Sequence, residues 1–430
     1  MSLILRPVTS ALVLSAIFGS ALACSGEDAG GDPGAAGTSV GGAGGSFSGS
    51  GSPAGGSAGA GGSGVAGGAG PGGGGTTSGG TTSGGAGGGA AGNGGSAAGG
   101  ASGGSAAGGA GGSAGGSGGS GGSGGTSSTG GCGVLPVNPN ATQQAKNLLC
   151  YLYSQYKNHV LSGQQETSWS NPQGDIDWYT TNGMKPPAIL GGDYLYPTGT
   201  TDRAIAYWKA GGITMIRYHM GAPPKADTYE DSKGTSNLDN VLMAGTAENT
   251  SFKSKLDYAA TELGKLQSQN VPVLWAPFHE VQANGWFWWS KGTGAQFVAI
   301  WKYTFDYLTK TKGLNNLVWL MPFSGSPASA YYPGKEYLDI SGPDTYDEGQ
   351  PFTGLYSTAK GVIGDTIPIP LHETGRIPTP SQMFPSAAPW VLFSVWAGYQ
   401  SDGTHNDLNN IKSVYADPHT VTRDEVPNLN

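Results

Sequence analysis

The chain has 430 residues with a formal net charge of −8, 12% charged residues, 80 glycines and only three cysteines. No Lys/Arg cluster occurs and the balance is acidic, so nucleic acid is excluded as an expected partner. Three cysteines also rule out a disulfide-dense mini-scaffold.

Residues 1–23 read as an export signal. Arg6 supplies a positive start, Ala11 to Phe18 an apolar run, and small residues lead into Leu22-Ala23-Cys24. The run is too short to span a bilayer as a stable helix. Cys24 stands where a bacterial lipoprotein signal places the cysteine that is acylated; plain secretion is the other reading. Residues 24–131 form the second segment. From Gly30 to Gly131 it is almost only Gly, Ser, Ala and Thr, with Asp32 as its one ionisable side chain. Such a stretch cannot bury enough surface to offset chain entropy, so a disordered tether is expected, with an end-to-end distance of roughly 50–60 Å.

Residues 132–430 carry all 11 tryptophans and the length of one folded domain. Cys132 and Cys150 remain as an even pair if Cys24 takes lipid. A disulfide between them would staple the domain's start to its first helix and stabilise it by about 3 kcal/mol; outside the cytoplasm this is preferred over two free thiols. Eight short apolar runs follow, beginning near Val160, Pro187, Ile213, Val271, Leu317, Leu338, Ile367 and Val391. Runs apolar throughout fit strands buried on both faces of a parallel sheet. Helical stripes separate several of them, such as Phe252, Leu256, Ala259, Leu263 and Leu266, and Phe297, Ile300, Trp301, Phe305 and Leu308. Eight strand–helix units predict an α/β fold, a (β/α)8 TIM barrel. An open doubly wound sheet is disfavoured because no G-x-G-x-x-G follows the first strand. The polar stretch from Gly221 to Ser251 reads as a wall or lid of the site or as a solvated insertion.

In such a barrel the reactive residues sit at strand C-terminal ends. The fourth run ends Pro277-Phe278-His279-Glu280 and the seventh ends Leu371-His372-Glu373. Two carboxyls brought to one rim are the equipment of a glycosidase, one as acid/base and one as nucleophile if the configuration is retained. Trp286-Phe287-Trp288-Trp289 follow the first glutamate, and four consecutive large aromatics cannot all face one core. Two are expected in the core, with Trp286 and Trp289 in the cleft. Trp396 is expected beneath a sugar ring, Tyr346 as a hydrogen-bond donor to the nucleophile, and Asp344 beside it. His219, His279 and His372 also end strands, yet no H-x-H or H-E-x-x-H spacing occurs, so contacts to sugar or carboxylate are preferred over a metal. His372 can also be packed inside the barrel.

At these residues the sequence resembles glycoside hydrolase family 26, over residues 140–430 and most specifically at Pro277-Phe278-His279-Glu280 with Trp286-Phe287-Trp288-Trp289. The resemblance implies a retaining endo-β-1,4-mannanase without cofactor or metal, with Glu280 as acid/base and Glu373 as nucleophile. It implies substrate contacts from His219, His279, Tyr346 and Trp396, and less directly from Asp344. Two departures stand out: Ala276 replaces an arginine usual four residues before the acid/base, and Thr374 replaces an aromatic usual after the nucleophile. A β-glucanase or β-xylanase of the same family, and a non-catalytic glycan-binding surface protein, are the alternatives. The expected partner is β-mannan or a related plant-type polysaccharide. The expected form is a monomer, secreted or held at the cell surface through Cys24.

Overall fold

The computed structural model describes residues 132–430 apart from Trp169, Pro197 and Ser386. The export signal of residues 1–23, Cys24 and the whole 24–131 tether lie outside the described residues.

Ten strands occur among the described residues: β1 (Val160–Leu161), β2 (Gly163–Gln165), β3 (Ile189–Asp193), β4 (Ile213–Arg217), β5 (Val273–Ala276), β6 (Leu317–Phe323), β7 (Ile340–Thr345), β8 (Leu371–Thr374), β9 (Phe393–Val395) and β10 (Thr420–Val421). Strands β2 to β9 close in chain order into a parallel eight-stranded barrel, which is the (β/α)8 architecture that the eight apolar runs predict. Parallel neighbours need a crossover, and helices such as Thr200–Lys209, Ala247–Ser268 and Gly294–Asp306 supply it. Both predicted helical stripes are buried: Phe252, Leu256, Ala259, Leu263 and Leu266 on one, Phe297, Ile300, Trp301, Phe305 and Leu308 on the other. Thr246 caps the first of these helices, and Thr293 with Gln296 closes a capping box on the second.

Two runs differ from the sequence reading. The first divides at Ser162: Val160–Leu161 pairs with β10 outside the barrel, while Gly163–Gln165 enters it. Ser162 holds both sheets, its hydroxyl donating to the Val421 carbonyl at 2.8 Å and its own carbonyl accepting from Ile189 at 2.9 Å. The seventh run yields β8, which starts only at Leu371, because Pro368 and Pro370 have no N–H to give the ladder.

The chain start is held to the barrel wall by a buried carboxylate. Asp339 accepts from the Val137 N–H at 2.8 Å and the Trp319 N–H at 2.7 Å, and burial pushes its carboxyl up to about 7 against those two bonds. Asp339→Ala leaves both donors without an acceptor. It is expected to cost about 2–6 kcal/mol in a denaturant titration, at one to three per orphaned group. Nearby, the Cα atoms of Cys132 and Cys150 stand 5.6 Å apart, within disulfide reach. Among the described residues no helix is long and apolar enough to cross a membrane.

Candidate active site

Strand β5 ends at Ala276, and the chain runs through Pro277, Phe278 and His279 to Glu280. Glu280 adopts φ +53°, a left-handed conformation that costs a non-glycine residue about 1–3 kcal/mol. Its neighbours hold it there. Trp289 donates its indole N–H to the His279 carbonyl at 2.9 Å, and Val281 re-pairs with β6 through Pro322 and Ser324 at 3.2 Å each. The turn delivers the Glu280 carboxyl to the barrel mouth, 8% exposed, where Oε2 accepts the Trp286 indole N–H at 2.8 Å. Burial and then the charge of Glu373 push Glu280 up to about 8, against the Trp286 bond and the Arg217 charge.

Glu373 arrives on β8 through a β-bulge. Three steps along β8, from Leu371 to Thr374, match only two along β9, from Phe393 to Val395. Strict alternation would send His372 and Glu373 to opposite faces. Instead both meet one guanidinium: Arg217 donates through Nε to His372 Nε2 at 3.2 Å and pairs with Glu373 Oε2 at 3.0 Å. The Tyr346 hydroxyl donates to Glu373 Oε1. Gly375 makes that approach possible, since a Cβ there would stand 2.9 Å from the Tyr346 ring.

The histidines form the floor. His372 is wholly buried inside the barrel, with Nδ1 against Asp344 Oδ1 at 2.7 Å. Burial, with the charges of Arg217 and His219, holds it well below the usual histidine range, so it is neutral. His279 is neutral for the same first reason, burial, with His219, Arg217 and His372 adding to it. His219 binds the Asp193 carboxylate through Nδ1, and its ring meets His279 edge-on at 4.2 Å. Burial alone would raise Asp193, but the His219 charge and hydrogen bond outweigh it and lower the carboxyl. Tyr229, from the Gly221–Ser251 segment, packs against His219 at 5.6 Å, so that segment walls the site rather than standing off as an insertion. Trp396 lies beneath, with the Arg217 guanidinium 5.7 Å from its ring.

The structure thus brings together Glu280, Glu373, Tyr346, His219, His279, Trp286 and Trp396. Two more expected residues meet this group through its other members, Trp289 at the His279 carbonyl and Asp344 at the His372 ring. Trp289 is fully buried and stacks on Phe287 at 4.6 Å; three of the four consecutive aromatics are core, and only Trp286, 49% exposed, reaches solvent. The indole of Trp289 is needed to cap the turn that presents Glu280, which keeps it inside. Asp344 is 2% exposed and faces His372 rather than open space, held protonated by burial and the nearby Glu373 and Glu280. Sequence reasoning missed Arg217 and Asp193. The signal for Arg217 was available, since a charge inside a run buried on both faces must find a partner.

Asp344, His372 and Glu373 also place one ligand atom each within 4.8 Å of one another, a spacing a cation could use. Arg217 already occupies two of the three, so a metal there would face a fixed positive charge.

A family model described as Glycosyl hydrolase family 26 matches residues 137–425. A mannan endo-1,4-beta-mannosidase of Thermothelomyces thermophilus is 28% identical over 313 residues, 67% of this chain and 62% of that protein. The chain spans between half and two thirds of the length of this relative and of two Piromyces mannan endo-1,4-beta-mannosidases. Among solved structures, the Podospora anserina GH26-CBM35 beta-(1,4)-mannanase superposes with a TM-score of 0.63 at 28% identity, covering 69% of each chain. A beta-mannanase from a symbiotic protist of the termite Reticulitermes speratus, complexed with gluco-manno-oligosaccharide, gives 0.62 at 26% identity over 68% of this chain and 97% of that one. With the barrel, the two strand-end glutamates and a family match over most of the described residues, the chain belongs to glycosyl hydrolase family 26.

Proposed function

We propose that the chain cleaves β-1,4-mannan internally with retention of configuration, as a mannan endo-1,4-β-mannosidase, with Glu280 as acid/base and Glu373 as nucleophile. The observation that carries this reading is the contrast between the two carboxyls. Glu280 keeps its proton near neutrality, while Glu373 is held by a guanidinium on one oxygen and a phenol on the other. In the first step a Glu373 oxygen attacks the anomeric carbon as the glycosidic C–O bond breaks, and Glu280 gives its proton to the leaving oxygen. In the second, Glu280 takes a proton from water, the water oxygen attacks the same carbon, and Glu373 is released. The half-exposed Trp286 ring offers a flat face to a sugar beside the bond being cut. His219, His279 and Trp396 underlie that sugar. Mannan is favoured by the mannan endo-1,4-beta-mannosidase activity of the relatives and by the gluco-manno-oligosaccharide bound to one structural neighbour.

The same proposal covers the chain's delivery. Residues 1–23 export it, Cys24 takes lipid or lies near the cut, and residues 24–131 tether a catalytic domain of 132–430 that acts as a monomer without cofactor. The pair Cys132–Cys150 is the domain's disulfide. Reducing-sugar release from galactomannan, mixed-linkage β-glucan and xylan tests the substrate reading. Release from β-glucan or xylan alone would overturn mannan while keeping the mechanism, and binding without hydrolysis would overturn both.

Because the acid must be protonated, kcat/KM is expected to fall as pH rises through about 8. Trp286→Phe removes a donor that favours the ionised carboxyl, so the alkaline limb should move to higher pH, by up to about one unit. A pH profile of kcat/KM checks it; a shift downward would mean the indole does not stabilise the carboxylate.

A further inference from the structure

We infer that Arg217 is the positioning residue of the nucleophile, and that it supplies from β4 the guanidinium that Ala276 on β5 cannot. This rests on the reading of Glu373 as nucleophile.

Arg217 and Ala276 are direct partners in the β4–β5 ladder. Partners in a parallel ladder point to the same side of the sheet, so an arginine at either position would enter the same interior space. The sequence resemblance puts an arginine at 276; this chain has alanine there, and a small side chain leaves room for the Arg217 guanidinium beside it. That guanidinium is wholly buried and its nitrogens are divided between the two bulge residues. Nε and one terminal nitrogen donate to His372, at its ring Nε2 (3.2 Å) and its carbonyl (3.1 Å). The other terminal nitrogen faces Glu373 Oε2 at 3.0 Å. One planar fork therefore fixes the backbone of the bulge, the ring before the nucleophile and the nucleophile itself. An ammonium has the charge but not the fork.

The charges select the same role. Glu373 is surrounded by Arg217 from β4, Asp344 and Tyr346 from β7 and its exit, His372 on its own strand, Glu280 and His279 beyond β5, and His219 beyond β4. His372 and His279 are neutral, and Asp344 and Glu280 are held towards their protonated forms. Arg217 is the permanent cation of this group, and the carboxylate it contacts is Glu373.

The test uses the full chain, with kcat and KM on galactomannan measured separately and Glu373→Ala as control. Arg217→Met is expected to lower kcat by at least about 100-fold with KM within about threefold, the scale of a misplaced reacting group. Arg217→Lys keeps the charge without the fork and should still lose about tenfold or more in kcat. Adding Ala276→Arg to Arg217→Met should restore at least about tenfold. A folded Arg217→Met protein with kcat within about threefold of the parent, or with its loss in KM instead, overturns the inference. If Arg217→Met does not fold, an Arg217→Lys protein with unchanged kcat overturns it instead. A double variant no better than the single one overturns the exchange between strands. Full activity in Glu373→Ala would instead remove the nucleophile reading, a separate failure.

Discussion

Glu373→Ala is expected to lower turnover of galactomannan by on the order of 10⁵-fold, because the variant has no group to form the glycosyl-enzyme. The loss should fall in kcat with KM little changed, since Glu373 is nearly buried and its two carboxyl oxygens are committed to Arg217 and Tyr346 rather than to holding substrate. The same substitution opens a small space beside the anomeric carbon. Azide, supplied with an aryl mannoside whose leaving group needs no acid, should enter that space and attack from the face the carboxylate occupied. The glycosyl azide formed would have inverted configuration, readable by NMR. A retained azide, or no azide product together with persistent hydrolysis, would assign the nucleophile elsewhere. Stability argues the other way from activity here. Arg217 would be left as a buried cation without its carboxylate, so the variant is expected to melt below the parent protein, and kinetics belong at a temperature where both are folded.

How much of this site was legible in the sequence follows from the physics of each part. The barrel was, because double-sided burial leaves apolar runs and helical stripes that any reading of periodicity detects, and Phe252 through Leu266 lie where the pattern puts them. The pair Glu280 and Glu373 was, because each ends an apolar run after a histidine; either one alone would read as a salt-bridged rim residue. The bulge in β8 was not: Leu371-His372-Glu373-Thr374 reads as an alternating strand, and only the pairing with β9 shows that one residue is extra. The fate of the four aromatics was half legible. Their number made some exposure expected, but which ring is core depends on the His279 carbonyl that Trp289 caps, a contact with no sequence signature. Asp344 stands beside Glu373 as expected, but its own partner was not legible, for a related reason. It stands opposite Glu373 in the ladder, and the sequence does not record that His372 is the partner its carboxyl meets.

Glu280→Ala should show a different signature from Glu373→Ala, and the difference separates the two roles. With polysaccharide the leaving oxygen is a poor one, and loss of the general acid should cost about 10²–10⁴-fold. With an aryl mannoside carrying an acidic phenol, the first step needs no proton, so glycosylation should survive. The second step then lacks its base. A burst of phenol followed by slow turnover is expected, with KM depressed because the glycosyl-enzyme accumulates. Azide needs no base and should relieve the slow step, giving this time a glycosyl azide of retained configuration. The alkaline limb near pH 8 should vanish as well, since the group that burial and the Glu373 charge hold protonated is gone. The two azide products bind the assignments together. If Glu280 and Glu373 were exchanged in role, the configurations would exchange too, although both variants would still be slow on mannan. Rate loss alone therefore identifies a pair of essential carboxyls, and only the stereochemistry of rescue says which one attacks. The environments point one way: a nucleophile must be ionised when substrate arrives, and of the two carboxyls only Glu373 shares a buried ion pair.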